Sequence, residues 1–168
     1  MSGKTRKLLV ALDDAESSSR VIEHVAGQIA ACPDAEITLL HVDEVPPALA
    51  EHGGAESPEE EHEKQQRQDA DRQAWRRETA ARLDRELFGP ARERLRRAAG
   101  GDRAAVNVKL VTESETDAAR TIVDEARGGG YDIVVLGRTG KSELRERLLG
   151  STTSSVLDHL ECCTLWVV

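Results

Sequence analysis

The sequence has no apolar run that approaches the roughly 20 residues of a membrane-spanning helix. Its start, MSGKTRKLLVALDDAE, also lacks the pattern of a secretory signal, because two aspartates interrupt the apolar stretch early. We therefore expect a cytoplasmic protein that does not insert into a membrane.

Basic residues are fewer than acidic ones. The 168 residues carry 23 basic and 31 acidic side chains, a formal net charge of −8. A surface field of this sign repels polyanions, so a general affinity for nucleic acid or anionic lipid is excluded.

Cysteine is scarce as well. The three cysteines, Cys32, Cys162 and Cys163, are an odd number without metal-type CxxC spacing, which argues against a disulfide framework or a zinc site. Cys162 and Cys163 directly precede an apolar segment, so we expect them to pack in the interior. The five histidines share no ligand spacing on one element, and we assign them structural or surface roles.

What is present is an alternation of apolar segments and amphipathic helical patterns. Val156, Leu157 and Leu160, for example, predict a short helix before the last apolar segment. A β-α-β-α order implies one domain, here residues 1–168, with a mostly parallel sheet, right-handed crossovers and helices on both faces. The predicted strands are residues 8–12, 37–42, 106–111, 132–136 and 164–168.

The segment from about residue 46 to residue 100 is highly charged. Ser57-Pro58-Glu59-Glu60 combines a capping serine, a proline suited to the first helical position and a glutamate three residues after the serine. An apolar stripe follows between Ala80 and Ala98. We predict a polar loop and then a long, mostly exposed helix with a kink at Gly89-Pro90.

The letters GRTGKS at residues 137–142 are similar to the end of a phosphate-binding P-loop, but the first glycine of that motif would fall on Val135. A G-x-G-x-x-G fingerprint is also missing after every predicted strand. Both of these nucleotide-binding classes are therefore excluded.

A different glycine spacing is present. Gly137 and Gly140 follow a buried strand, and Gly150-Ser151 precedes a helix. Gly137 and Gly140 let the backbone approach a phosphate without a Cβ in the way and permit positive φ values. Gly150-Ser151 begins a helix, whose unpaired N–H groups are available to an anion. The stretch therefore predicts a phosphate site.

This G-x2-G-x9-G-[ST] arrangement resembles the nucleotide-binding loop of the ATP-binding branch of the universal stress protein family. The resemblance covers nearly the whole chain, since residues 8–13 (LLVALD) match the family's opening strand and residues 39–42 (LLHV) its second strand. It implies a three-layer α/β/α domain of the adenine-nucleotide α-hydrolase type, with a five-stranded sheet of order 3-2-1-4-5.

The resemblance also implies a ligand, ATP with ADP or AMP as alternatives, together with Mg²⁺ or Mn²⁺. Asp13 and Val42 become adenosine contacts, and Arg138 and Lys141 are candidates to neutralise phosphate charge. In a parallel sheet, ligands bind at the carboxyl ends of strands, where Asp13, Val42 and Gly137 are predicted to lie. The implied phosphate contacts are Gly137, Gly140, Gly150, Ser151 and Thr152.

Three positions depart from the family pattern. Asp13 is followed by Asp14-Ala15 instead of glycine and serine, Glu143 occupies a place where glycine is common, and Glu161-Cys162-Cys163 replaces Pro-Cys-Pro. The added acidic groups either weaken nucleotide binding or help to hold a divalent cation.

We predict a homodimer that pairs through the C-terminal strand, residues 164–168, because an apolar strand left on a sheet edge is a pairing hazard. The bound nucleotide would be a regulatory or structural ligand. No nucleophile with an adjacent base is evident, so we expect at most slow ATP hydrolysis.

Two other classes of protein require motifs that this sequence lacks. An ATP pyrophosphatase or ligase of the adenine-nucleotide α-hydrolase group needs an S-G-G-x-[DS]-S loop after the first strand, where this chain reads DDAESSS. A response-regulator-like domain needs a phospho-acceptor aspartate after its third strand, where VTES at residues 111–114 offers none.

Overall fold

The computed structural model describes residues 5–31, 34–50, 58–101, 103–113, 117–138 and 149–168. Strands and helices alternate along most of this length. The strands are β1 Lys7–Ala11, β2 Glu36–Glu44, β3 Ala105–Glu113, β4 Ile133–Leu136 and β5 Thr164–Val167. The helices are α1 Ala15–Ala31, α2 Pro47–Ala50, α3 Pro58–Leu83, α4 Gly89–Ala98, α5 Ala118–Gly129 and α6 Ser151–His159, and a π-helical turn, Asp84–Phe88, joins α3 to α4.

The five strands form one sheet of order β3-β2-β1-β4-β5, and every neighbouring pair is parallel. In the central strand, Leu8 pairs with Ile37 of β2 and with Ile133 of β4. Such a strand has helices over both of its faces, which explains why the sequences of β1, β2 and β4 contain continuous apolar runs. The predicted fold class and strand order are confirmed.

Two apolar cores lie on opposite faces of this sheet. Successive side chains of β1 alternate between them, with Val10 in the core under α1 and α4 and Leu9 in the core under α5 and α6. Both side chains are fully buried. The sheet is therefore the middle layer of three, and the carboxyl ends of its parallel strands lie along one edge of it.

The long charged helix begins at Pro58 and folds largely as predicted, but not as one regular helix. The predicted polar loop starts with the short helix α2, and residues 51–57, with the predicted cap Ser57, lie outside the described residues. The side chains of α3 are mostly exposed, and the kink expected at Gly89-Pro90 takes the form of the π-helical turn just before it. Proline in a regular helix collides with the carbonyl four residues earlier, and a widened turn relieves that collision. The start of the apolar stripe was wrong by one residue, since Ala80 is exposed and Thr79 is buried.

Helix α5 shows how local chemistry sets the ends of the elements near the site. The Asp117 carboxylate accepts hydrogen bonds from the N–H groups of Ala119 and Arg120, and Gly130 ends the helix in the left-handed conformation with φ 64°. The predicted short helix before the last strand is confirmed as α6, although of its apolar residues Val156 is fully buried and Leu157 is 54% exposed.

Candidate functional site

A cleft of about 270 Å³ opens at the carboxyl ends of β1, β2 and β4. It lies where the order of the sheet reverses, between β1, which leads to β2 and β3, and β4, which leads to β5. Ligands of open α/β sheets bind at this topological switch point. The volume is close to the lower end of the roughly 300–1,000 Å³ typical of small-molecule sites.

The first wall of the cleft is the turn after β1. The backbone N–H of Asp13 donates to Ser18 Oγ at 3.2 Å, which fixes the chain as it leaves the sheet. The neighbouring Asp14 caps α1, because its carboxylate accepts from the N–H groups of Glu16 at 2.9 Å and Ser17 at 2.8 Å. Helix capping at this turn is thus provided by Asp14, and Asp13 lines the cleft.

The second wall comes from β2. Val42 is half-buried and lines the cleft together with Leu40 two residues earlier. His41 lies between them on the opposite face of the strand, where its Nδ1 is 2.8 Å from the carbonyl oxygen of Leu12 and its ring meets Phe88 edge-on. A carbonyl can only accept, so Nδ1 is the donor. His41 therefore holds the end of β1 in place, in agreement with the structural role predicted for it.

The third wall is the start of α6. Gly150 is the residue before the first helical turn; its N–H donates to the carbonyl of Arg138 and its carbonyl accepts from the N–H of Ser154, both at 2.9 Å. No side chain caps this helix. Gly150, Ser151 and Thr152 at this helix start line the cleft, and the side chains of Ser151 and Thr152 are exposed. The first N–H groups of a helix have no partner within it, so a helix start beside a cleft suits an anion.

Thr153 ties this helix to the end of β4. Its hydroxyl donates to the carbonyl of Gly137 at 2.9 Å, and the side chain is only 4% exposed. Thr153 was not among the predicted site residues, although its spacing from Val156 and Leu160 marks the inner face of α6. Other lining residues that were not predicted include Ser17, Ser18, Val21, Ala118 and Ile122.

We expect Thr153→Val to lower the free energy of unfolding by about 1–3 kcal/mol, because it keeps the shape of the side chain but removes a buried hydrogen bond to Gly137. Urea denaturation measures this loss. The matched control is Thr152→Val, which changes an exposed neighbour and should stay within about 0.5 kcal/mol of wild type. Equal losses in the two variants would show that the Thr153 hydroxyl does not anchor the helix.

The positive φ expected at Gly137 was wrong, and Gly150, which was expected to begin the last helix, does not need one either. Gly150 has φ −66° and ψ 158°, an extended conformation that any residue adopts. Among the described residues, positive φ occurs at Gly100, Gly101 and Gly130, and so not at Gly137. The absence of a Cβ beside the cleft, not backbone freedom, is the property that these two glycines offer.

Not every predicted site residue is brought into the cleft. Gly137, Gly150, Ser151 and Thr152 line it together with Asp13 and Val42. Arg138 is exposed and does not line it, although its backbone N–H donates to the carbonyl of Val168 at 2.8 Å. Gly140 and Lys141 lie outside the described residues, as does Glu143.

Within the part of the chain that the structure describes, no group of three or more histidine, cysteine, aspartate or glutamate side chains is placed to hold a metal ion. Among the helices of that part, none is long and apolar enough to cross a membrane.

An all-parallel five-stranded sheet with a cleft at its switch point defines a doubly wound α/β protein. Residues 4–168 match the model of the universal stress protein family, so the chain belongs to that family. No curated protein matches the sequence.

Solved structures share the fold at low sequence identity. The hypothetical protein MJ0577 is 21% identical with a TM-score of 0.69, and the alignment covers 97% of this chain and 94% of that one. Universal stress protein UspA from Lactobacillus plantarum is 21% identical with a TM-score of 0.59 and 99% of both chains covered. A universal stress protein in complex with cAMP is 19% identical with a TM-score of 0.59, covering 99% and 98%.

Proposed function

We propose that this universal stress protein binds an adenine nucleotide as a regulatory or structural ligand, and that the preferred nucleotide is ATP. The observation that carries the proposal is the meeting of Asp13, Val42 and the uncapped start of α6 around one cleft. A relative of the same fold is described as a complex with cAMP, which supports the nucleotide class without choosing among its members.

The cleft offers a different chemistry to each part of a nucleotide. Leu40, Val42 and Ile122 give an apolar side suited to the flat adenine ring. Asp13 offers carboxylate oxygens, which accept hydrogen bonds from ribose hydroxyls. The N–H groups that begin α6 after Gly150 suit the phosphates, because they combine donors with the positive end of a helix dipole.

We propose that Mg²⁺ or Mn²⁺ enters with the nucleotide and is held mainly by its phosphates. Mg²⁺ usually keeps several waters and takes only one or two carboxylates from the protein, so a preformed metal cluster is not required.

Equilibrium dialysis with ATP and Mg²⁺ tests the proposal directly, and mass spectrometry of small molecules released from the purified protein tests it independently. We expect saturable binding of one nucleotide per chain, with affinity lowered in an Asp13→Ala variant. A folded protein that retains no adenine nucleotide in either experiment would overturn the proposal. Following AMP, ADP and phosphate during dialysis also measures any slow hydrolysis.

We also propose that two chains pair through β5. This strand is an edge of the sheet, Leu165 and Trp166 on it are half-buried, and Val167 is 40% exposed in a single chain. An exposed apolar edge strand is a template for pairing with another strand. A two-fold axis beside β5 would cover this edge with the same edge of a second copy.

We expect Val167→Lys to raise the dissociation constant of the dimer at least about tenfold, because it places a charge against its twin at the shared edge. Sedimentation equilibrium measures this constant. The matched control is Val108→Lys, since Val108 is 37% exposed and lies on β3 at the opposite edge. A dimer that resists the first substitution, or that dissociates with the second, would exclude β5 as the interface.

A further inference from the structure

Two thiol groups lie side by side in the turn between α6 and β5, away from the residues that line the cleft. The sulfur atoms of Cys162 and Cys163 are 3.6 Å apart. Cys162 is exposed, and Cys163 is half-buried against the apolar core under α5 and α6. The expectation that both cysteines pack in the interior was therefore wrong for Cys162.

The chain on either side of the pair is anchored by backbone hydrogen bonds. Before it, the N–H of Leu160 donates to the carbonyl of Val156 at 2.9 Å as α6 ends. After it, the N–H of Thr164 donates to the carbonyl of Asp132 at 3.1 Å as β5 begins. A short turn held at both ends presents its two sulfurs in a preorganised position, and preorganisation lowers the entropic cost of binding.

From this we infer that Cys162 and Cys163 together form a dithiol site that chelates a single thiophilic atom. A trivalent arsenical is the probe for this site. Bonds of about 2.3 Å from each sulfur to a soft centre would span the observed gap at an angle of about 100°. That angle suits a tetrahedral or pyramidal centre, so the sulfurs need to move little.

A disulfide between the same two residues fits less well. Neighbouring Cα atoms lie about 3.8 Å apart across a trans peptide, whereas disulfides usually need about 4.4–6.8 Å. A disulfide formed under that constraint would be strained and readily reduced. The geometry therefore favours a bridging atom over a direct sulfur–sulfur bond.

The ionisation of Cys163 also favours a bridging atom over a disulfide. Burial, followed by the hydrogen bond and charge of Cys162 and the charge of Asp132, raises the pKa of the Cys163 thiol to about 11. This suppresses the thiolate that oxidation and alkylation require. Condensation with a hydroxyl-bearing arsenical needs no free thiolate. Two As–O bonds break, two As–S bonds form, each thiol proton leaves with a hydroxyl as water, and arsenic stays trivalent.

Phenylarsine oxide, which hydrates to such a dihydroxy arsenical, is the probe for the experiment. It is titrated into the Cys32→Ser protein and into the same protein carrying Cys162→Ser or Cys163→Ser, and adducts are measured by native mass spectrometry. We expect one arsenic per chain, bound at least about 100-fold more tightly than in either single-thiol variant, because the second sulfur binds intramolecularly. A small 1,2-dithiol should remove it, and a monothiol at equal concentration should not.

Several results would overturn the inference. One is equal affinity in the dithiol protein and a single-thiol variant, with circular dichroism showing both folded. Another is arsenic binding to wild type that disappears when only Cys32 is replaced. A third is a folded Cys32→Ser protein that forms no adduct with phenylarsine oxide. None of these readouts depends on the nucleotide site, so the two proposals fail separately.

Discussion

Replacing Gly150 by valine is expected to weaken ATP binding about 10- to 100-fold while the fold stays intact. Gly150 directly precedes α6, its backbone conformation is open to any residue, and it is one of the residues that line the cleft. A bulky side chain there would keep phosphate oxygens from the first N–H groups of the helix. Losing one or more charge-assisted hydrogen bonds of about 1.5–3 kcal/mol gives a change of this size.

A matched alanine pair separates this effect from a general effect of losing glycine. Gly150→Ala adds one methyl group at the cleft and should have a smaller effect of the same sign, whereas Gly27→Ala adds a methyl group on α1 that meets nothing within 4 Å. Gly27→Ala should bind ATP as wild type does. Equilibrium dialysis gives the affinities, and urea denaturation confirms that each variant is folded. Undiminished binding by folded Gly150→Val would remove α6 as the phosphate site.

Much of the candidate site could be predicted because parallel strands end at the same edge of the sheet. Asp13 and Val42 are distant in sequence from Gly150, yet both follow or end apolar runs, so their place near one edge follows from the topology. The contribution of α1 and α5 could not be predicted in this way. Which side chain of a helix reaches a cleft depends on how the helix is rotated against the sheet, and that is decided by packing.

The five hydroxyl residues at the start of α6 illustrate the limit. The letters STTSS predict a polar first turn, and Ser151 and Thr152 are indeed exposed. Thr153 carries a similar side chain but is buried and bonded to Gly137. Composition alone does not distinguish Thr153 from its neighbours. The apolar Val156, three residues later, marks Thr153 as a position on the buried face of the helix.

The fold was predicted more completely than the site. Apolar runs and helical spacing placed the main strands and helices, and the strand order was implied by the family resemblance. The π-helical turn was not predicted, since a single widened turn leaves the apolar spacing of Leu83, Leu87 and Leu95 close to that of a regular helix. Only the Gly89-Pro90 pair signalled an irregularity there.

Gly89→Ala is expected to destabilise the protein by about 1–3 kcal/mol, although helix propensity alone predicts a gain of about 1 kcal/mol. In the widened turn, the N–H of Gly89 donates to the carbonyl of Asp84, and a Cβ built on Gly89 would lie 2.6 Å from that carbonyl oxygen. Backbone at that distance has to move. The movement would disturb Leu87 and Phe88, which are buried in the core under α1 and α4.

The sign of the change decides between the two effects, and Gly27→Ala is again the control. Gly27 lies within α1 with open space around the added methyl group, so only propensity acts and the variant should gain about 0.5–1 kcal/mol. Urea denaturation of both variants should therefore give changes of opposite sign. If Gly89→Ala were also more stable than wild type, the π-helical turn would convert to regular helix at little cost. In that case the width of the π-helical turn would not explain why a glycine precedes Pro90.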